Sequence, residues 1–442
     1  MDEPTLRVGL ASSRERAAIS LRGTFRLGET EIGPVDGLDA VAELGGVRLS
    51  LRGRLVAHGT QLRLAPADAS AVFVLHRMTV GVDFHWQHEQ DLVFRGALCL
   101  ESRGPLFDIV NEVGLEPYLE SVISSEMSDR CPPSALRAHA VISRSWLLSQ
   151  LEGGAERDYE PTESGPDAND QVLELVRWYD REDHAHFDVC ADDHCQRYQG
   201  VTRTSTEAAV GAVAETRGLV LVARGRVCDA RFSKCCGGRT EVFASAWGDV
   251  DVPYLRSFPD DDPGTGRPLT AEEDAAAFIA GSPPAFCNTP DRALLDKILP
   301  ELDHGTTQFW RWSQAVRAAD VRTWVREKAG VDLGRVIALR PLARGPSGRL
   351  VRLEIEGEER TLHVGKELEI RRLLSKTHLY SSAFTVTFEG EGDERVFHLR
   401  GAGWGHGVGL CQIGAAVMAE RGYAHEGILG HYYRGATLER RY

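Results

Sequence analysis

No apolar stretch in this 442-residue sequence approaches the roughly 18 to 20 residues that a membrane-crossing helix needs, so no α-helical span is expected. Basic residues are in short supply: 51 Lys and Arg face 65 Asp and Glu, a formal charge of -14 at pH 7. Binding to nucleic-acid phosphates relies on a cationic surplus, so DNA or RNA is excluded as the main partner. An acidic glycan stays open, because a local groove can differ in sign from the whole. The first residues, MDEPTLRVGLASSRERAAIS, have no basic segment followed by an apolar one, so no secretory signal is read there. Either the protein stays inside the cell or a signal lies outside this sequence. No long-period internal repeat is found.

What is present is the composition of an ordinary soluble globular protein, 42% hydrophobic and 26% charged, long enough for two or three structural units. Cysteine is the exception, with nine residues in uneven groups: Cys190 with Cys195, then Cys228, Cys235 and Cys236, with single ones at Cys99, Cys131, Cys287 and Cys411. An odd count in local clusters suits metal ligation plus buried thiols better than a disulfide framework.

The chain reads as an α+β protein. Residues 1–113 alternate short β-type runs with glycine turns, as in VRLSLRGRLV and AVFVLHRMTVGV, and form a β-rich part. A segment over 114–260 follows, opening on two proline-led helical stretches, PYLESVISSEM and PSALRAHAVISRSWLLSQL. Within it, residues 152–171 are acidic, rich in Gly, Pro and Ser and almost without apolar anchors, so they read as an exposed insertion. RVCDARFSKCCGGRTEVF reads as strand, Gly-Gly turn, strand. Residues 261–395 carry helical patterns up to Gly330 and then β-type runs, an inserted subdomain. Residues 396–442 return to the main unit with a glycine-rich strand and a helix from about Gln412 that Gly422 can stop.

In PYLESVISSEM the apolar residues Leu119, Val122, Ile123 and Met127 recur at helical spacing, and Glu126 falls on the same face. Glu120, Ser121, Ser124 and Ser125 take the other side. A carboxyl held in an apolar setting keeps its proton near neutral pH, as a general acid must. The plainer alternative is an ion pair between Glu126 and a cation such as Arg144 of the next helix.

The stretch DHAHFDVCADDHCQRYQG packs His184, His186, Cys190, His194 and Cys195 into a dozen residues. Tetrahedral zinc suits such donors, with His184, Cys190, His194 and Cys195 filling all four positions and leaving none for substrate. Such a count makes a structural staple. Adjacent His194 and Cys195 are awkward joint ligands, so His186 or an Asp is an alternative, as are free thiols or a Cys190–Cys195 disulfide.

In GAGWGHGVGLCQIGA a glycine stands at every second position from Gly401 to Gly409. In an extended strand these would line one face, bare for close approach of a backbone or ligand, with Trp404 and His406 on the other. No G-x-G-x-x-G register fits, which removes a dinucleotide loop. The bland alternative is a crowded corner with a core histidine.

Together these segments resemble the SpoIID/LytB family of sporulation and amidase-enhancer proteins. The carrying motifs are VNEVGLEPYLESVISSEM, ALRAHAVISRSW, HCQRYQG, ARFSKCCGGRTEVF, PYLRSF, GPSGRLVRL and GWGHGVGLCQIGAAVMAERGYAHEGILGHYY. The resemblance implies a SpoIID-like fold and a lytic transglycosylase acting on peptidoglycan glycan strands freed of stem peptides, with the family's catalytic glutamate falling on Glu126. The alternative is a non-catalytic amidase enhancer that only binds glycan or an N-acetylmuramoyl-L-alanine amidase. The family's zinc cluster falls on His184, Cys190, His194 and Cys195. Trp404, His406, Gln412 and Arg144 are candidates to contact the sugar. The resemblance implies a cell-envelope location, while the missing signal leaves the cytoplasm open. Three departures stand out: His139 where relatives usually have Gln, Cys236 where Ser is common, and Cys411 for Ser. Cys235, Cys236 and Cys411 could meet as thiols, a disulfide or a second metal site.

Overall fold

The protein is described by a computed structural model covering residues 2–80, 88–128, 130–154, 172–178, 186–192, 195–202, 207–261, 266–299 and 308–442. The acidic insertion therefore lies outside the described residues from 155 on. Strands and helices are interleaved in an α+β fold, in keeping with the periodicities of the sequence.

Alternation of apolar and polar residues builds the N-terminal part into two antiparallel sheets. One runs in the order Thr5–Arg14, Leu106–Gly114, Ala97–Arg103, Gln61–Pro66, Phe25–Leu27, Thr30–Ile32, with the short strand Val189–Cys190 added in parallel to its free edge. The other contains His88–Phe94, Val72–Val80, Arg16–Arg22, Val35–Glu43, Gly46–Leu51 and Arg54–Gly59. Leu6, Val8, Ile19, Phe73, Phe94 and Leu100 are among the side chains of their common core. The parallel edge pairing sets Cys190 opposite Gly9 and so fixes one of the candidate metal-binding thiols to the first sheet.

Strand Leu106–Gly114 runs directly into α1 (Leu115–Glu126), which is followed by α2 (Pro133–Leu151) with Pro133 in its first turn, where a missing N–H breaks no bond. α1 buries Leu119, Val122 and Ile123, each stabilising by roughly 1.5–3 kcal/mol. Ser121 and Ser125 are buried as well, unlike the polar face that spacing alone suggested. The 196–200 segment meets both: the Gln199 N–H donates to Ser121 Oγ at 3.1 Å, and Arg197 Nη1 donates to the backbone carbonyl of Ser125 at 3.4 Å.

After α3 (Glu207–Glu215), strand Leu219–Ala223 pairs with the C-terminal strand Thr437–Arg440. The Gly-Gly turn at Gly237 and Gly238 is present, with φ of 79° and 107°. Its flanks pair elsewhere and not with each other: Phe232–Ser233 lies parallel to Leu410–Cys411, Cys235 bridges Trp404, and Glu241 bridges Val408.

Next come α4 (Glu272–Ala280), α5 (Arg292–Ile298) and α6 (Ala318–Ala329), the last ended by Gly330 in the left-handed conformation. Phe286, Cys287, Leu295 and Ile298 belong to the main core, whereas a second core gathers residues between Trp312 and Leu399, among them Val321, Leu353, Ile355, Phe384 and Phe397. Its sheets are Arg311–Arg317, Val396–Ala402, Phe384–Glu389 and Val336–Arg344, Leu350–Gly357, Thr361–Gly365, and α7 (Glu367–Leu373) packs there too. Strand Val172–Val176, just after the acidic stretch, adds in parallel to Thr361–Gly365. Leu173 and Leu175 of this strand pack against the second core. α8 (Gln412–Glu420) and α9 (His425–Tyr432) return to the first. Among the described residues no helix is long and apolar enough to cross a membrane.

Candidate functional site

Three glutamates lie on α1, and the fold treats them differently. Glu116 is buried, with Arg144 donating from Nε to Oε1 at 2.9 Å and from Nη2 to Oε2 at 2.7 Å. Burial works against its charge, but Arg144, the Tyr442 hydroxyl and the Gly218 N–H outweigh it and hold the carboxyl below its usual range. Glu120 pairs with Arg95 at 3.3 Å. Glu126, at the last turn and half-buried, accepts the Arg197 backbone N–H at 3.3 Å and has no cationic partner among the described residues.

Arg144 is therefore a correction on both counts. Its side chain is 0% exposed and also donates to the Leu219 carbonyl at 3.0 Å, so it is neither the partner of Glu126 nor placed to touch a sugar. Removing either member of such a buried pair costs roughly 3–5 kcal/mol, because the other is left charged and alone.

The segment around Cys195 runs along α1. Tyr198 stacks on Tyr118 of α1 with centroids 4.9 Å apart, and its hydroxyl donates to Asn111 Oδ1 at 2.7 Å. The Cys195 thiol is hydrogen-bonded to Cys190, which together with burial pushes it well above the ordinary thiol range. Cys190 and Cys195 are thus brought together, and both lie close enough to Tyr118 to act on its phenol, as does Glu126. His184 and His194 lie outside the described residues, and His186 is exposed.

The glycine-rich segment corrects the strand reading. Regular pairing ends at Ala402, and Gly403, Gly405, Gly407 and Gly409 all have left-handed φ between 71° and 87°. The alternation is one of backbone conformation, not of strand faces. The close approach expected of bare positions is present: a Cβ on Gly409 would lie 1.9 Å from the Arg231 carbonyl, and one on Gly407 2.5 Å from the Arg349 guanidinium carbon. Arg349 is fully buried and donates to the carbonyls of Gly405 at 3.1 Å and Cys236 at 3.1 Å.

Trp404 is half-buried, with Tyr380 stacked on it at 4.4 Å and Phe309 at 5.0 Å, so its ring belongs to an aromatic cluster. His406 packs edge-on to Trp247 at 4.8 Å, and its Nδ1 accepts the Val408 N–H at 3.0 Å. Burial, then the charges of Arg231, Arg349 and Arg371, push the imidazole well below its usual range, so it is neutral. Gln412 is buried and bonded to His139 of α2 at 3.0 Å, which turns it from the expected sugar contact into a helix-to-helix link.

Arg231 was not singled out in the sequence. It pairs with Asp229 at 2.7 Å, lies 4.2 Å above the Trp247 ring, and its charge acts on both Cys195 and His406. It connects the thiol pair beside α1 with the histidine of the glycine-rich segment. Only its position inside ARFSKCC pointed to it. Cys235, Cys236 and Cys411 do meet, joined by Cys287 and Asp260, which sequence distance concealed.

Residues 105–222 match the family described as Stage II sporulation protein, and residues 241–409 match a domain of unknown function (DUF8618). An uncharacterized protein of Brachyspira hyodysenteriae is 25% identical over 346 residues, covering 78% of this chain and 72% of its own. The Stage II sporulation protein D of Bacillus amyloliquefaciens is 24% identical over 331 residues, 74% of this chain and 75% of that one. The amidase enhancer of Bacillus subtilis is 26% identical over 252 residues, 51% of this chain, which spans only 32% of that protein.

Proposed function

We propose that this chain, a relative of the SpoIID/LytB proteins, is a lytic transglycosylase that cuts peptide-free peptidoglycan glycan strands, with Glu126 as its single acid and base. The relatives' names support a cell-wall-related function; the reaction is our reading. The observation that carries it is the singling out of Glu126: of the three glutamates of α1, Glu116 and Glu120 are paired with arginines, and Glu126 is held by one backbone N–H, with no cationic partner among the described residues.

A leaving glycosidic oxygen requires a proton from a positioned acid. In the proposed reaction Glu126 gives that proton as the glycosidic bond breaks. The carboxylate then takes the proton of the sugar's own 6-hydroxyl, whose oxygen closes on the anomeric carbon to give a 1,6-anhydro end. No water is consumed and the acid is restored, so one carboxyl serves where most glycosidases need two. Cys190 and Cys195, brought together beside α1, fit a zinc site completed by His184 and His194. Four protein ligands would make that zinc a staple of the Glu126 region, and no step passes through it.

Digestion of denuded glycan strands, read by mass spectrometry, tests this. Anhydro-ended fragments are expected from the wild type, with a loss of at least about a hundredfold in Glu126→Gln, a factor in the range that general acids supply. Intact strands after incubation with a folded wild-type protein would sink the reading. The amidase enhancer among the relatives favours a second one, in which the protein binds glycan or an amidase without cleaving. Stimulation of an added N-acetylmuramoyl-L-alanine amidase, equal in wild type and Glu126→Gln, is the result that selects it.

A further inference from the structure

Away from α1, four segments distant in sequence deliver metal-binding side chains to one buried point. Cys236 comes from the Gly-Gly turn, Asp260 from the segment paired to it, Cys287 from the loop between α4 and α5, and Cys411 from the start of α8. Their ligand atoms all lie within 4.8 Å of one another, and all four residues are buried. Cys236 Sγ is 3.5 Å from Cys287 Sγ and 3.3 Å from Asp260 Oδ2. A tetrahedral ion with bonds of about 2.3 Å holds its sulfurs about 3.8 Å apart, so one ion fits this set without rearrangement of the backbone. A disulfide, with sulfurs about 2.0 Å apart, is not formed at Cys236 and Cys287.

The surroundings are those of a metal site and not of an ordinary core. Asp260 presents one oxygen to the sulfurs, while Oδ1 accepts the Tyr432 hydroxyl at 2.8 Å and lies 3.3 Å from His431 Nε2. Such outer partners orient a ligating carboxylate. Backbone N–H groups point at the sulfurs: Cys236 and Gly414 donate to Cys411 Sγ at 3.3 and 3.4 Å, and Gly238 donates to Cys236 Sγ at 3.4 Å. Cys411 caps α8, where the helix end favours a negative sulfur. The Arg311 guanidinium lies beside the cluster, donating to the Gly237 carbonyl at 3.0 Å; burial lowers its pKa to about 10, against the pull of Cys235, Cys287 and Cys236. The Cys235 thiol is hydrogen-bonded to Cys287 and Cys411 and closes the remaining side.

We propose that Cys236, Cys287, Cys411 and Asp260 bind one tetrahedral divalent ion of the zinc type, a structural site separate from the His/Cys cluster near Glu126. Three soft thiolates select zinc over calcium or magnesium. Loading releases to solvent the protons that the thiols still carry. The ion would tie the α4–α5 loop to the glycine-rich segment and to α8, linking residues 175 positions apart.

Cadmium NMR of the full-length chain tests the site, because the cadmium shift moves with the number of sulfur ligands. A resonance of the three-sulfur type is expected in the wild type and in the double variant Cys190→Ser/Cys195→Ser. It should vanish in Cys287→Ser and shift in Asp260→Asn. A folded wild-type chain, judged by circular dichroism, that shows no such resonance overturns the proposal. So does a chain isolated without metal in which mass spectrometry finds a disulfide among Cys236, Cys287 and Cys411. The wild-type measurement decides even where a cysteine variant fails to fold.

Discussion

At the scale of single residues, the glycines between Ala402 and Leu410 separate what a sequence can reveal from what it cannot. Their bareness was legible, since so many glycines in register require close approach. Their conformation was not, because a two-residue period is common to a strand and to a chain that alternates left-handed and extended residues. Nor could the sequence say that the approaching group at Gly407 is a buried guanidinium from a residue 58 positions earlier by number. Gly407→Ala carries two penalties: left-handed strain of roughly 1–2 kcal/mol, and a clash with Arg349 at 2.5 Å. Gly53 is the control, with φ of 82° and nothing within 4 Å of an added Cβ. In thermal melts Gly53→Ala should lower the midpoint slightly and Gly407→Ala by several degrees more. Equal shifts would show that the Arg349 contact gives way freely. Glu126 was legible for another reason, as an acid among apolar helix positions; which cations would leave it alone was not, since Arg144 and Arg95 sit on other elements.

At the scale of elements, both helices after the β-rich part were legible in proline and apolar spacing, and α2 matches its expected span of Pro133–Leu151. The partners of those helices were not. His139 of α2 is 1% exposed, meets Gln412 of α8 at 3.0 Å and packs edge-on to Phe232 at 4.6 Å. Burial, with a smaller contribution from Lys234, lowers its imidazole to about 3. In the unfolded chain it titrates near 6.5, so between those values the unfolded state binds one more proton than the native state. The stability associated with neutral His139 is therefore complete above pH 6.5 and falls away below it, by about 1.4 kcal/mol per pH unit, until the native imidazole itself titrates. His139→Gln places an amide where it can still meet Gln412 and removes the titration. Calorimetric unfolding at about pH 5 in buffers of different ionisation enthalpy should then show one proton fewer taken up than in the wild type. An unchanged proton count would mean that His139 is charged in the native protein, contrary to its surroundings.

At the scale of the whole molecule, the α+β character and the β-rich beginning followed from periodicity, because alternation and helical spacing are local properties. The division of the core did not, since it depends on which distant strands pair. Residues 286–298 join the first core, and the second gathers residues from Trp312 to Leu399 together with Leu173 and Leu175 from beyond the acidic stretch. Between the two stands Arg349, on the turn before strand Leu350–Gly357 of the second core, its guanidinium bonded to the Gly405 and Cys236 carbonyls and to Ser347 Oγ at 3.0 Å. Ser347 in turn donates to Glu241, a buried carboxylate whose pKa burial raises and the Arg349 charge pulls back. Arg349→Met keeps much of the volume but strands two carbonyls and leaves Glu241 without that cation, and each unpaired buried group costs roughly 1–3 kcal/mol. The loss falls on the contact between the cores and not within either. Scanning calorimetry should therefore resolve the single melt expected of the wild type into two transitions in Arg349→Met, the second core unfolding first because it no longer shares the buried ion network. One undivided transition at the wild-type midpoint would mean that apolar packing alone couples the two cores.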